Sequence, residues 1–362
     1  KLIIYVIEKL SFLGIFFSVF LAFALGNLKN TGIIIGVPLI LIATLYEIVM
    51  SHAIQGRIVA AAGSIIVGFF YLRSKTKAVY VLLYSITSLV LGIIALLGAL
   101  QIGPLTNLIY KTSVSLRGQY WLAGFNTGSD HLLSGVGMDA FGDWYRRSRD
   151  LHALELPGVN TVVNASHNVP MDMFAFGGVP LLVSYIGITL LTTRAILRLL
   201  VRSKNFDWIF VSMTVAWVGY QIQSIVSINQ IGLAVWGWLL GGSLIGYEFT
   251  TRGSYEEQPN RIKKSDLQPS LVLSGAFAGL IGLLISLPPL LTDINFRSAL
   301  LSRSANQVEL TMKNSYFNPV NSQLYIQNIQ ALESSTLYDL SHEYALEAVT
   351  WNPEDFNLWK IL

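Results

Sequence analysis

The chain contains no cysteine, so neither a disulfide framework nor a thiolate metal site can form. Charge is scarce as well. Asp, Glu, Lys and Arg make up 12% of the residues, against about 25% in soluble domains. A chain that is 53% hydrophobic, with mean hydropathy +0.55, has the bilayer as its solvent. The net charge is only +3, and the basic residues recur between apolar segments instead of forming one patch. That distribution argues against a nucleic-acid partner. There is no start Met and no signal-peptide pattern, and the chain reads as helix at once. We therefore expect earlier spans to be missing, and the end at Leu362 is also abrupt.

A membrane helix needs about 20 mostly apolar residues. Eight such segments are present, at roughly 10–26, 32–50, 57–72, 79–99, 171–192, 208–227, 231–249 and 270–291. The expected fold is an all-α polytopic bundle in four parts. Residues 1–99 carry spans one to four and 100–170 a large outer loop; 171–291 carry spans five to eight and 292–362 a polar helical segment. Lys29, then Arg73, Lys75 and Lys77, then Arg194, Arg198, Arg202 and Lys204, then Arg252, Arg261, Lys263 and Lys264 fall in alternate loops, which places those loops in the cytoplasm. The 51–57 turn, the 100–170 loop, the 228–230 turn and the C-terminal segment then lie outside.

The outer loop is too long to be a plain connection, and it is rich in aromatics such as Tyr120, Trp121, Phe141 and Trp144. Residues 104–125 read as an amphipathic helix lying along the interface. Gly135-Val136-Gly137 is no P-loop, because no Gly-Lys-Ser/Thr follows. Arg146, Arg147 and Arg149 read first as an anchor for anionic headgroups, with Arg147 kept as a substrate-binding candidate. His52, His131 and His152 share the outer side, but their spacing does not support a zinc site. No metal or other cofactor is expected.

Arg57, Arg117 and His167 are distant in sequence, yet all fall on the outer face. Two cations and an imidazole at a membrane surface suit chemistry on a lipid-linked phosphate. Gln221, Gln223, Asn229 and Gln230 cap the outer ends of spans six and seven; they can bind sugar hydroxyls or join helix to helix. In the C-terminal segment, Asn318-Pro319 and Asn352-Pro353 stand 34 residues apart, followed at equal offsets by Leu324-Tyr325 and Leu358-Trp359. That period is the tetratricopeptide one, and it implies a possible protein partner.

Three patches resemble the O-antigen ligase and O-antigen polymerase superfamily over residues 51 to about 250. They are Gly56-Arg57 opening a span, Arg117 with Trp121 and then GVGMDAF at 135–141, and Ser166-His167-Asn168 before Gly177-Gly178. Gly56 departs from the family's Ser. The resemblance implies a polytopic bundle like other lipid-carrier glycosyltransferases. It also implies a bacterial cytoplasmic-membrane enzyme that transfers a glycan, without a metal, from undecaprenyl pyrophosphate to a glycan or glycolipid acceptor. Arg57, Arg117 and His167 match the family's functional positions; Asn168, Trp121, Arg147 and Gln223 are the expected substrate contacts. Besides these substrates, membrane lipids are the expected partners. The alternatives are a transporter or flippase, which would show inverted repeats and broken helices, and a scaffold that recruits proteins through its helical repeats.

Overall fold

In lipid, a spanning segment must satisfy every backbone N–H and C=O within itself, and a helix does so. The computed structural model describes residues 2–51, 54–104, 106–110, 112–252, 269–319 and 322–362, and contains helices but no strand among them. All eight expected spans are helices. They are α1 (Leu2–Gly26), α2 (Thr31–Met50), α3 (Ile54–Lys75) and α4 (Ala78–Ala99), then, after the loop helices α5 (Thr106–Ile109), α6 (Thr112–Asp130) and α7 (Phe141–Ser148), α8 (Val169–Arg202), α9 (Trp208–Val226), α10 (Ile231–Thr250) and α11 (Pro269–Ser302). Four helices follow: α12 (Ala305–Asn314), α13 (Ser322–Ser334), α14 (Tyr338–Trp351) and α15 (Phe356–Ile361). Among the described residues, six helices are long and apolar enough to cross a membrane: α2, α3, α4, α8, α9 and α11 from Val272 on. In α1 the apolar run Ser11–Gly26 is shorter, and α10 is diluted by glycines, tryptophans and Glu248.

The chain forms two compact units. In the first, residues 1–137 and 148–263, α9 is the central helix, packed by α1, α3, α8 and α10. Val211 and Val215 meet Ala22 and Val67 on one side, while Phe210 and Trp217 meet Ile196, Leu199 and Leu244 on the other. By contrast α4 buries only Gly98 and leaves Leu82, Leu89, Leu91 and Leu96 bare. Such a face would be a large aggregation-prone patch in water, but in hydrocarbon it costs nothing.

Hydrogen bonds between helix ends fix which ends lie together. Arg57 at the start of α3 donates to the Val49 carbonyl at the end of α2 (2.9 Å), and Asn168 at the start of α8 donates to the Ile225 carbonyl at the end of α9 (3.0 Å). At their other ends, Arg73 of α3 donates to the Leu200 carbonyl of α8, and Arg202 of α8 pairs with Glu248 of α10. The last basic loop is described only as far as Arg252; Arg261, Lys263 and Lys264 lie outside the described residues.

Span five is not the uninterrupted helix expected from its hydropathy. It breaks at Gly177 (φ −136°, ψ 18°) and Gly178 (φ 62°, ψ −158°). The second conformation is open only to glycine, and a Cβ on Gly178 would lie 2.2 Å from the Leu132 carbonyl oxygen. A break exposes backbone groups, and the loop between α6 and α7 satisfies them. Val136 and Gly137 donate to the carbonyls of Ala175 and Phe176 (2.9 and 3.0 Å), and Val179 donates to Leu132 (2.7 Å). The amphipathic helix expected at 104–125 is also divided, into α5 and a longer α6. Helix α6 packs on α8 through Tyr120, Ala123, Gly124, Thr127 and Gly128, a single stripe at helical spacing.

The second unit comprises residues 138–147 and 264–362. The change to polar sequence at Thr292 does not end α11, which continues to Ser302, about 51 Å in all. Its last turns place Phe296 and Ala299 in a core with Val308, Tyr325, Ile329, Leu332, Ala348 and Leu358. Helices α13 and α15 both follow an Asn-Pro pair and begin 34 residues apart. Residues 138–147 attach here: Arg147 pairs with Glu354 (2.7 Å), Asp143 accepts from Asn352 (3.0 Å) and Arg146 lies 4.3 Å over the Phe356 ring.

Gly178→Ala tests the break. It should cost about 3 kcal/mol or more through strain and clash, lowering the melting temperature of the detergent-solubilised protein. Gly187→Ala, on the same helix with open space around it, should leave melting unchanged or slightly raised.

Candidate functional site

Helix α8 begins where the chain must pass from loop to bilayer, and the residues on either side of His167 are held tightly. Ser166 is fully buried and donates both its N–H and its hydroxyl to Asp172 Oδ1 (2.6 Å each). Asn168 caps the helix, accepting from the Met171 N–H (3.0 Å) while its amide donates to Ile225. Between these anchors His167 has φ 60°, a left-handed conformation uncommon outside glycine. The strain persists because both neighbours are fixed. Asp172 is itself buried, and an acidic residue in the first turn also complements the helix dipole.

The constrained backbone turns the imidazole toward α6. Its ring stacks on Tyr120, centroids 5.4 Å apart and planes at 30°. One turn earlier on α6 stands Arg117, close enough to act electrostatically on His167. Burial lowers the His167 pKa below its ordinary value, and the Arg117 charge lowers it further. Burial also lowers that of Arg117. The result is a neutral imidazole, able to accept a proton, beside a partly desolvated guanidinium that can bind an anion strongly.

The fold thus brings two of the expected trio together. Arg57 is exposed, and its described contact is the Val49 carbonyl. Its neighbour Gly56 is buried against α1: a Cβ on Gly14 would lie 2.6 Å from the Gly56 carbonyl oxygen, so the two backbones cross closely here.

Both polar atoms of the Asn168 amide are engaged by the protein, which makes it a positioning residue for His167. Gln223 is 3% exposed, and neither its Nε2 nor its Oε1 has a partner among the described residues. Trp121 Nε1 is buried in the same condition, as are Gln55 Oε1, Gln119 Oε1 and Gln230 Oε1. Gln221 and Asn229, by contrast, accept from the hydroxyls of Tyr185 and Tyr220 and join elements of the bundle. Arg147 belongs to the C-terminal unit, paired with Glu354. His131, just past the end of α6, contacts the Thr127 carbonyl, His152 lies in a short 3-10 turn, and His52 lies outside the described residues.

Tyr120, Ser166, Asp172, Gln55 and Gln119 are absent from the sequence-level site. The acidic residue in the first turn after Asn168 was a usable signal for Asp172. Ser166 stood in the Ser166-His167-Asn168 patch and Tyr120 among the loop aromatics, each without an expected role, and no local pattern marked Gln55 or Gln119.

Residues 39–186, a stretch that includes Arg57, Arg117 and His167, match the family model described as O-antigen ligase. The match is shorter than the 51-to-250 resemblance and begins earlier, inside α2. No curated protein and no solved structure matches the chain. The apolar helices and the family match together indicate a multi-pass membrane protein of glycan transfer.

The His167 titration is directly measurable. Its midpoint, followed by NMR of ring-labelled protein in nanodiscs, should lie below 6.5. In Arg117→Gln it should move upward, because one of the two lowering causes is removed. The neutral, base-competent form is then lost at higher pH than in the parent. An unmoved midpoint would mean that the two groups do not interact.

Proposed function

We propose that this protein transfers a glycan from an undecaprenyl-pyrophosphate carrier to an acceptor hydroxyl, at the outer face of the bacterial cytoplasmic membrane. The observation that carries this reading is the pairing of a neutral, half-buried, backbone-constrained His167 with Arg117 inside the stretch that matches the O-antigen ligase family model. The outer placement rests on the alternation of basic loops.

In this reading the acceptor oxygen forms a bond to the anomeric carbon, and the carbon–oxygen bond to pyrophosphate breaks with its electron pair leaving on phosphate. The acceptor proton passes to His167 Nδ1 or Nε2. Pyrophosphate is already stable as an anion, so the need is to neutralise growing charge, not to protonate a leaving group. Arg117 and Arg57 do this with planar guanidiniums, taking the electrostatic role a metal would otherwise supply. Tyr120 and Asn168 hold the imidazole. Trp121, Gln119 and Gln223 carry buried polar atoms without partners and are the groups we assign to sugar hydroxyls. The acceptor is a glycan or glycolipid.

A transporter reading would use the α8 break as an ion or substrate site. The exposed groups of that break are already bonded by the 132–137 loop, which favours the enzyme. The C-terminal helices we assign to a tetratricopeptide-like array that binds a protein partner, on the strength of the 34-residue interval between α13 and α15.

Purified protein incubated with lipid-linked oligosaccharide and acceptor should yield free carrier pyrophosphate and a glycosylated product. His167→Ala should reduce transfer by about 100-fold or more. Arg117→Ala and Arg57→Ala should do likewise, with the proteins still inserted in the membrane. Chelator should leave the rate unchanged. A single added glycan identifies a ligase and a ladder a polymerase; full activity in all three variants would sink the assignment.

A further inference from the structure

The end of the bundle opposite His167 holds a second polar centre that the transfer chemistry does not use. Glu248, near the end of α10, is only 4% exposed. Arg202 reaches its Oε1 at 2.8 Å and Arg252 its Oε2 at 2.7 Å, so both carboxylate oxygens already have a guanidinium partner. Arg198 stands 4.0 Å from Oε1, at the outer limit of an ion pair. One turn earlier α8 presents Arg194, which ion-pairs with no described carboxylate.

These four guanidiniums and one carboxylate line a shallow, open surface groove together with Leu190, Thr193, Leu197 and Val201. Four positive charges against one negative leave an excess of three. Arg202 Nε is buried there with no hydrogen-bond partner among the described residues. The triad Arg202–Glu248–Arg252 suffices to staple α8 to α10; Arg198 adds only a marginal contact to Glu248 and Arg194 none, while both repel the neighbouring guanidiniums. The sequence places them on the same face of α8 as Leu190, Leu197 and Val201, at positions i, i+4, i+7, i+8 and i+11. Those three apolar side chains are 61%, 54% and 75% exposed. Cations and bare apolar groups therefore share one wall.

The geometry points to a binding site for an anionic phospholipid, its phosphate held by Arg194 and Arg198 and its acyl chains on the Leu190–Leu197 side of α8. The shared chemistry is phosphate recognition by guanidinium. The apolar wall selects the lipid-borne form, because a free phosphate gains nothing from Leu190, Leu197 and Val201. The lipid removes a like-charge repulsion next to buried Glu248 and so tightens α8 against α10.

Native mass spectrometry of the purified full chain, with phosphatidylglycerol and phosphatidylcholine supplied together, tests this directly. The parent should retain phosphatidylglycerol about ten-fold over phosphatidylcholine. Arg194→Gln combined with Arg198→Gln should bring that ratio close to one, and Arg194→Lys with Arg198→Lys should keep most of it, which separates lost charge from lost fold. An unchanged ratio in the Gln double variant overturns the site. Displacement of the lipid by inorganic phosphate overturns its assignment to a lipid.

Discussion

Backbone hydrogen bonds at the Gly177–Gly178 break govern the rest of this structure. A chain entering hydrocarbon cannot leave N–H and C=O groups unpaired, yet α8 interrupts its own ladder just as it enters. Val136, Gly137 and Leu132 complete that ladder from the loop between α6 and α7. The loop is thereby fixed to the start of α8, α6 is drawn against it, and Arg117 and Tyr120 arrive beside His167. Were the helix continuous, its carbonyls would need no partner and nothing would hold the loop in register with it.

The same logic operates one level down. His167 occupies a strained backbone conformation because Ser166 is bonded to buried Asp172 and Asn168 is bonded both to its own helix and to α9. Rigid neighbours convert a loop histidine into a group of fixed direction. Burial and a nearby guanidinium then keep it neutral. Position, direction and protonation state all follow from ordinary hydrogen bonding and desolvation, with no unusual chemistry required of the protein.

Opposite ends of the bundle are built differently. Near the Asn168–Ile225 contact, both polar atoms of Gln223 are buried without a partner among the described residues. At the other end guanidiniums outnumber carboxylates around Glu248, as suits a surface that meets phosphate. Between them α9 supplies the best-buried apolar core, so the two chemistries are separated by the thickness of the bundle. In the C-terminal unit the polar helices bury Tyr325, Leu332 and Leu358 in the ordinary manner of water-facing domains.

Hydropathy by itself determined the eight spanning helices and the all-α class, because an apolar run in lipid has a single way to satisfy its backbone; it missed the C-terminal ends of α8 and α11, which run on to Arg202 and Ser302. The motif order in residues 51–188 likewise marked Arg57, Arg117 and His167, and the Asn-Pro spacing marked the starts of α13 and α15. Tertiary structure decided what those residues do to one another. That α8 breaks, that α11 runs through Thr292, that Asn168 ties α8 to α9, and that Arg147 pairs with Glu354 all depend on partners tens to more than 200 positions away, or on a torsion that glycine permits but does not compel. Composition and period report which face of an element is apolar; they carry no information about which distant carbonyl or carboxylate will be waiting there.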